Sequence, residues 1–208
     1  DNLKNKIIKI NPLVRENIYK INKNFEDKKK LNLLIIGGSQ GASVFDKELK
    51  NSIVNISKKN SIKIIHQTSE ENISSLSNFY SDNNVDNKIF SYEKNLINII
   101  KEVDLCITRA GASTLAELSV LNIPFIAVPL PTSKDNHQFE NANYFYKKGY
   151  CILLEQRFIS NRLFEILLDL NKNEKKLLLM REKMKEHSDK NSFLQIEKLI
   201  KEILYEKI

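Results

Sequence analysis

Apolar runs of four to six residues alternate along this chain with longer stretches in which apolar positions recur every three or four residues. The first pattern predicts buried strands and the second amphipathic helices; their alternation predicts a parallel sheet wrapped by helices. Strands are expected at Leu31 to Ile36, Ile62 to His66, Lys88 to Phe90, Asp104 to Thr108, Pro124 to Val128 and Cys151 to Leu154. Helices are expected between them, at Ala42 to Lys58, Glu70 to Ser81, Leu96 to Glu102, Thr114 to Leu121 and Asn136 to Lys148. This is an α/β, Rossmann-like domain of about six strands. Three helical segments follow, at about 161–170, 174–187 and 192–205, and in the last Phe193, Ile196, Ile200 and Ile203 form one apolar stripe that needs a surface to cover. Phe25 to Lys30 is mostly charged and reads as a loop, and Asn11-Pro12 marks a turn or linker. The expected division is a linker or domain start at 1–30, a binding domain at 31–190 and a C-terminal helix at 191–208.

Composition narrows the class. With 208 residues, 41% of them hydrophobic, the chain fits one large globular domain and not a disordered or collagen-like one. Cys106 and Cys151 each sit in an apolar run without CxxC spacing, so they read as reduced core residues rather than zinc ligands. The net charge of +7 comes from scattered Lys residues, not from an aromatic-interleaved stripe, which argues against nucleic acid and leaves an anionic small ligand or membrane surface. The N-terminal residues do not form a signal peptide. The longest apolar run, Ile123 to Leu130, holds two prolines and is far short of the roughly 20 residues a spanning helix needs. The chain begins with Asp and reaches its first clear strand only near Leu31, as expected of part of something longer.

Ligands bind beyond the carboxyl ends of such strands, so the loops there carry the candidate chemistry. Gly37-Gly38-Ser39-Gln40-Gly41-Ala42 joins the first strand to a helix and suits a phosphate, although it is neither GxGxxG nor a lysine-bearing P-loop. Arg109-Ala110-Gly111-Ala112-Ser113-Thr114 opens a later helix. Thr114-Leu115-Ala116-Glu117 has the form of a capping box; alternatively, the helix start faces phosphate oxygens and Glu117 accepts from two ribose hydroxyls. Thr132 to Gln138, with Asn141 one turn on, gathers polar groups suited to a sugar, while Asp135 or Asn136 could equally cap a helix. Ser91-Tyr92-Glu93 places an aromatic where it could cover a base, or simply close the core, and His66-Gln67-Thr68-Ser69 is a weaker polar candidate. None of His66, His137 and His187 falls into a nucleophilic or metal-binding motif.

GGSQGA after one strand, TRAGASTLAEL at a later strand-to-helix junction and PLPTSKDNHQFENA after the next together resemble the carboxyl-terminal half of the MurG glycosyltransferases. The resemblance runs from about Asn11 to near the C-terminus. It implies one half of a GT-B transferase, the half that holds UDP-GlcNAc while an amino-terminal domain holds the lipid acceptor. GlcNAc would pass to lipid I to form lipid II, at the cytoplasmic face of the bacterial inner membrane. By this resemblance Gly38, Ser39, Gln40 and Gly41, with Gly111, Ala112, Ser113 and Thr114, hold the diphosphate, and Arg109 belongs to the same motif. Glu117 takes the ribose hydroxyls, Tyr92 covers uracil beside Glu93, whose main-chain atoms read the base edge, and His137 and Gln138 contact the GlcNAc hydroxyls.

The family's linker carries Asn-Pro and a nearby Arg, but Asn11-Pro12-Leu13-Val14-Arg15 has one extra residue, which leaves Arg15 unassigned. The family's amino-terminal glycine-rich loop and its histidine have no counterpart, so no residue here is expected to be the catalytic base. With no Asp-x-Asp pair, helix dipoles and backbone N–H groups would stabilise the departing UDP without a metal or other cofactor. Two other readings are a naturally split transferase, whose soluble UDP-GlcNAc-binding subunit is recruited by a membrane-bound partner, and a non-catalytic UDP-sugar-binding protein. A related UDP-GlcNAc 2-epimerase would need catalytic residues not found in this sequence.

Overall fold

Strands β1 (Leu31–Ile36), β2 (Ile62–Gln67), β3 (Asp86–Phe90), β4 (Leu105–Arg109), β5 (Phe125–Val128) and β6 (Cys151–Leu153) form one six-stranded sheet in the order β3-β2-β1-β4-β5-β6. Every pairing is parallel. These features belong to a computed structural model that describes residues 7–8, 10, 12–21, 30–38, 42–93, 99–188 and 191–205.

Eight α-helices are found among the described residues: α1 (Ala42–Glu48), α2 (Lys50–Ser57), α3 (Ile73–Asp82), α4 (Ala112–Val120), α5 (His137–Lys147), α6 (Ile159–Lys172), α7 (Glu174–Ser188) and α8 (Ser192–Tyr205). The single helix expected from Ala42 to Lys58 is divided at Leu49. The Leu49 N–H still reaches the Phe45 carbonyl and the Ile53 N–H the Leu49 carbonyl, both at 3.0 Å, so the ladder continues across the division. Of the helix expected at Leu96 to Glu102, residues 96–98 lie outside the described residues while Ile99 and Ile100 are helical and a turn follows at Lys101 and Glu102; the loop expected at Phe25 to Lys30 lies almost wholly outside them.

Strand period places alternate residues on opposite faces, and both faces are covered. Leu33, Ile35, Ile64, Leu105, Ile107 and Ile126 pack with the apolar sides of α1, α2, α3 and α6. Leu34, Cys106, Phe125 and Ala127 pack with α4 and α5, where the Phe125 and Phe145 rings meet edge to face at 5.9 Å between centroids. Burying one such side chain contributes about 1.5 to 3 kcal/mol, which is why these near-continuous apolar strands read so clearly. Cys106 and Cys151 are buried free thiols, and burial pushes Cys151 up to about 12 and Cys106 higher still, so both remain protonated. On α8, by contrast, Phe193, Ile200, Ile203, Leu204 and Tyr205 are exposed.

Candidate functional site

The sheet order changes direction between β1 and β4, since β2 and β3 extend to one side and β5 and β6 to the other. A crevice opens at the carboxyl ends of strands at such a switch. Two helix-opening turns flank it. After β1, Gly38 adopts φ +63° with open space where a Cβ would stand, a conformation that only glycine takes without strain. Ser39, Gln40 and Gly41 lie outside the described residues.

After β4, Gly111 precedes α4 and no side chain caps the helix. The first intrahelical bond runs from the Leu115 N–H to the Gly111 carbonyl at 3.0 Å, so the N–H groups of Ala112, Ser113 and Thr114 lie ahead of it, with Ala112 and Ser113 exposed. The capping box does not form. The helix begins at Ala112, so Thr114 sits inside the first turn and Glu117 is too far along to reach back to an N-cap.

Glu117 instead meets Arg15. The guanidinium grips the carboxylate with two parallel bonds, Nε to Oε1 at 2.7 Å and Nη2 to Oε2 at 2.9 Å. The pair lines a cleft of about 420 Å³ together with Leu13, Val14, Ile36, Ile100, Ser113, Thr114 and Leu118. The partnership spans 102 positions, which is why no local pattern marks it; the only signal is an Arg close behind Asn11-Pro12.

The start of α4 is held by α5. The Gln138 side-chain oxygen accepts from the backbone N–H groups of Ala110 at 3.2 Å and Leu130 at 3.0 Å, and the Asn141 amide donates to the Ala110 carbonyl at 3.0 Å. These residues therefore fix the segment entering the helix, and the Gln138 amide nitrogen remains as a donor. Neither Asp135 nor Asn136 caps α5 through its side chain; both adopt left-handed conformations, φ +49° and +55°, which Asp and Asn tolerate best among non-glycine residues. His137 is exposed and donates from Nδ1 to the Lys134 carbonyl at 2.7 Å, which leaves Nε2 as the ring's acceptor.

Arg109 has a different task from the one its motif suggested. Only 7% exposed, it lies 4.7 Å from the Phe45 ring centroid and donates to the carbonyls of Val128 and Pro129 and, at 2.7 Å, to Gln156 Oε1. It ties the ends of β4 and β5 to the turn before α6, and burial lowers its pKa. Tyr92 is 79% exposed beyond β3 and Glu93 is partly exposed; neither lines the cleft, and the loop is held by Gln67, which donates to the Ser91 carbonyl at 3.2 Å. His66 is fully buried. Its Nε2 faces Asp46 Oδ1 at 3.4 Å, its Nδ1 faces the Tyr80 hydroxyl at 3.2 Å, and Thr68 and Asn72 donate to Asp46 Oδ2. Among the described residues no three of His, Cys, Asp and Glu gather as metal ligands would.

Residues 32–200 match the glycosyltransferase family 28 C-terminal domain. The chain belongs to that family. It is 42% identical over 194 residues to the UDP-N-acetylglucosamine--N-acetylmuramyl-(pentapeptide) pyrophosphoryl-undecaprenol N-acetylglucosamine transferase of Pelagibacter ubique, covering 93% of this chain and 54% of that protein. It is 34% identical to the protein of the same name from Francisella philomiragia, again over 93% of this chain and 54% of the relative. The crystal structure of Acinetobacter baumannii MurG superposes with a TM-score of 0.74 at 26% identity, over 87% of this chain and 55% of that one. The fold is thus that of the carboxyl-terminal half of a GT-B transferase, and this family 28 chain spans about half the length of the curated relatives it matches.

Proposed function

We propose that this chain is the donor-binding half of an inverting transferase that moves GlcNAc from UDP-GlcNAc to lipid I, forming lipid II for peptidoglycan. The observation that carries this reading is the Glu117 carboxylate in a cleft beside an uncapped helix start at the switch of the sheet. The free N–H groups of Ala112, Ser113 and Thr114, with the positive end of the α4 dipole, take the diphosphate, with Gly38 beyond β1 on the other side. Glu117 accepts from the vicinal ribose hydroxyls. Tyr92 and Glu93 take the uracil, while His137 Nε2 and the Gln138 amide face the GlcNAc beyond β5. From β3 to β5 is four strand intervals, about 19 Å, so a nucleotide sugar can lie across the strand ends. As UDP departs, its charge is met by fixed backbone dipoles, and the acceptor hydroxyl loses its proton to a group on the amino-terminal half.

Calorimetric titration with UDP-GlcNAc tests this. Glu117→Gln is expected to weaken binding by about tenfold, since it replaces a charged acceptor by a neutral one. Thermal unfolding should change little, because Arg15 is largely exposed and such ion pairs contribute at most about 1 kcal/mol. Equal affinities would remove Glu117 from the site and the reading with it.

The amino-terminal acceptor half is the partner proposed for α8, whose apolar face carries a groove between Phe193, Ile196, Ile200 and Leu204. Contact with lipid I is proposed to come through that other half; no helix among the described residues is long and apolar enough to cross a membrane. A dye that fluoresces on apolar surfaces should bind the isolated chain and be displaced when the amino-terminal half is added. A chain that leaves the dye dark has no such uncovered face.

A further inference from the structure

The loop that follows β3 leaves the sheet at its edge, where strand pairing can hold it on one side only. Tyr92, two residues beyond the strand, is 79% exposed, so its own packing does little to place it. The connection from β2 to α3 holds the loop instead. The Thr68 N–H bonds the Phe90 carbonyl at 2.9 Å. One residue further, the Gln67 side-chain amide extends this ladder past the strand ends by donating to the Ser91 carbonyl at 3.2 Å. The Ser91 hydroxyl in turn donates to the Glu70 carboxylate at 2.6 Å. The carbonyl and the hydroxyl of Ser91 are therefore both gripped, directly ahead of Tyr92 and Glu93.

The gripping segment is itself fixed from beneath. The Thr68 hydroxyl donates at 2.6 Å and the Asn72 amide at 3.1 Å to Asp46 Oδ2 on α1, while Asp46 Oδ1 faces His66 Nε2 at 3.4 Å. Asp46, His66 and Thr68 are all buried. A chain of bonds thus runs from α1 through the end of β2 to Ser91, and the loop is oriented before a ligand arrives, so binding loses less conformational freedom. Main-chain groups that pair with the edge of a base need such support, because a site must be held to within about 0.5 Å to keep its hydrogen bonds aligned.

We propose that Gln67, assisted by Glu70, is the positioning residue for base recognition, holding the backbone from Ser91 to Glu93 where it pairs with the edge of uracil. The inference rests on the reading of Tyr92 and Glu93 as the uracil contacts. Neither Gln67 nor Glu70 touches the nucleotide; both act through Ser91. Cytosine is the informative competitor. It keeps the ring size, the ribose and the diphosphate but reverses the hydrogen-bonding sense along its edge, so only a backbone held in place rejects it.

The test is titration of the 208-residue chain with UDP and with CDP, in the wild type and in Gln67→Leu, Glu70→Ala, Glu70→Gln and Tyr92→Ala. The wild type is expected to prefer UDP. Gln67→Leu, close in volume but without the donor, should weaken UDP by about tenfold and change CDP far less, so that discrimination between the two collapses. Glu70→Ala should shift it in the same direction, and Glu70→Gln, which keeps an acceptor for the Ser91 hydroxyl, should retain it. Glu70 is exposed, so its variants carry the same test without disturbing the packing around half-buried Gln67. Equal losses for UDP and CDP in Gln67→Leu and Glu70→Ala would make these residues a general support of the domain and overturn the proposal. Full discrimination in both, with UDP weakened by Tyr92→Ala, would also overturn it while leaving the base contacts standing. A wild type that binds neither nucleotide or does not distinguish them, or a Tyr92→Ala that binds UDP as the wild type does, would instead overturn the reading of the base loop on which the proposal stands.

Discussion

Replacing Gln138 by leucine lowers the unfolding free energy by about 3 kcal/mol, whereas glutamate at the same position holds it. One side-chain oxygen accepts from two backbone N–H groups, at Ala110 and Leu130, in partly buried surroundings. Leucine fills a similar volume but leaves both donors unpaired, at roughly 1 to 3 kcal/mol each. Glutamate keeps the acceptor. Urea unfolding would show the leucine variant with a lower midpoint and an unchanged slope. The functional outcome separates the two roles of the residue: glutamate, though stable, loses the amide donor proposed to meet the sugar, so it should bind UDP as the wild type does and UDP-GlcNAc less tightly. If leucine and glutamate destabilise alike, the side chain matters only for its shape.

Acidification below pH 6.5 should reduce stability through His66. This imidazole is completely buried, and burial lowers its pKa below 6.5, although the hydrogen bond and charge of Asp46 oppose the shift. Burial favours the neutral ring, and in that form Nε2–H faces Asp46 Oδ1 while Nδ1 accepts from the Tyr80 hydroxyl. Burial also raises the Tyr80 pKa and keeps that hydroxyl protonated. Below pH 6.5 the unfolded chain takes up a proton on His66 that the folded chain does not, so stability falls by up to about 1.4 kcal/mol per pH unit until the lowered folded value is reached. Asp46 acts in a lower window. Desolvation raises its pKa, but the bonds from His66, Thr68 and Asn72 together outweigh this and lower it, so its contribution is present above about 3.8 and lost as pH falls through the folded value. Urea unfolding across this range should show the slope in the wild type and its absence in His66→Gln. The same slope in both would assign the proton to another group.

The inner strands β1, β4 and β5 were legible because they are buried on both faces, so their residues run nearly unbroken as apolar, whereas the edge strand β3 is largely exposed and only its end from Lys88 stood out. The loops that follow β1, β4 and β5 were legible too, since glycine and polar clusters stand out against those runs. Helix starts were read less well. Thr114 and Glu117 satisfy the capping pattern in spacing, yet α4 begins two residues earlier, because Gln138 and Asn141 hold Ala110 and thereby set where the chain turns. Arg109 stands in a loop motif and reads as a ligand contact, but the pairing of β4 with β5 puts it beneath Phe45 and against the carbonyls of the neighbouring strand end.

The sequence by itself determined the layers, the chain order of strands and helices, and the loops at the carboxyl edge where a ligand would lie. Only the tertiary structure decided that Arg15 grips Glu117, that α5 fixes the entry to α4 and that His66 belongs to a buried network rather than to the site. Periodicity records whether a residue faces core or solvent, which a few neighbours settle. A hydrogen-bond partner 102 or 28 positions away depends on strand register and on the path of the intervening chain, and neither leaves a trace in local pattern.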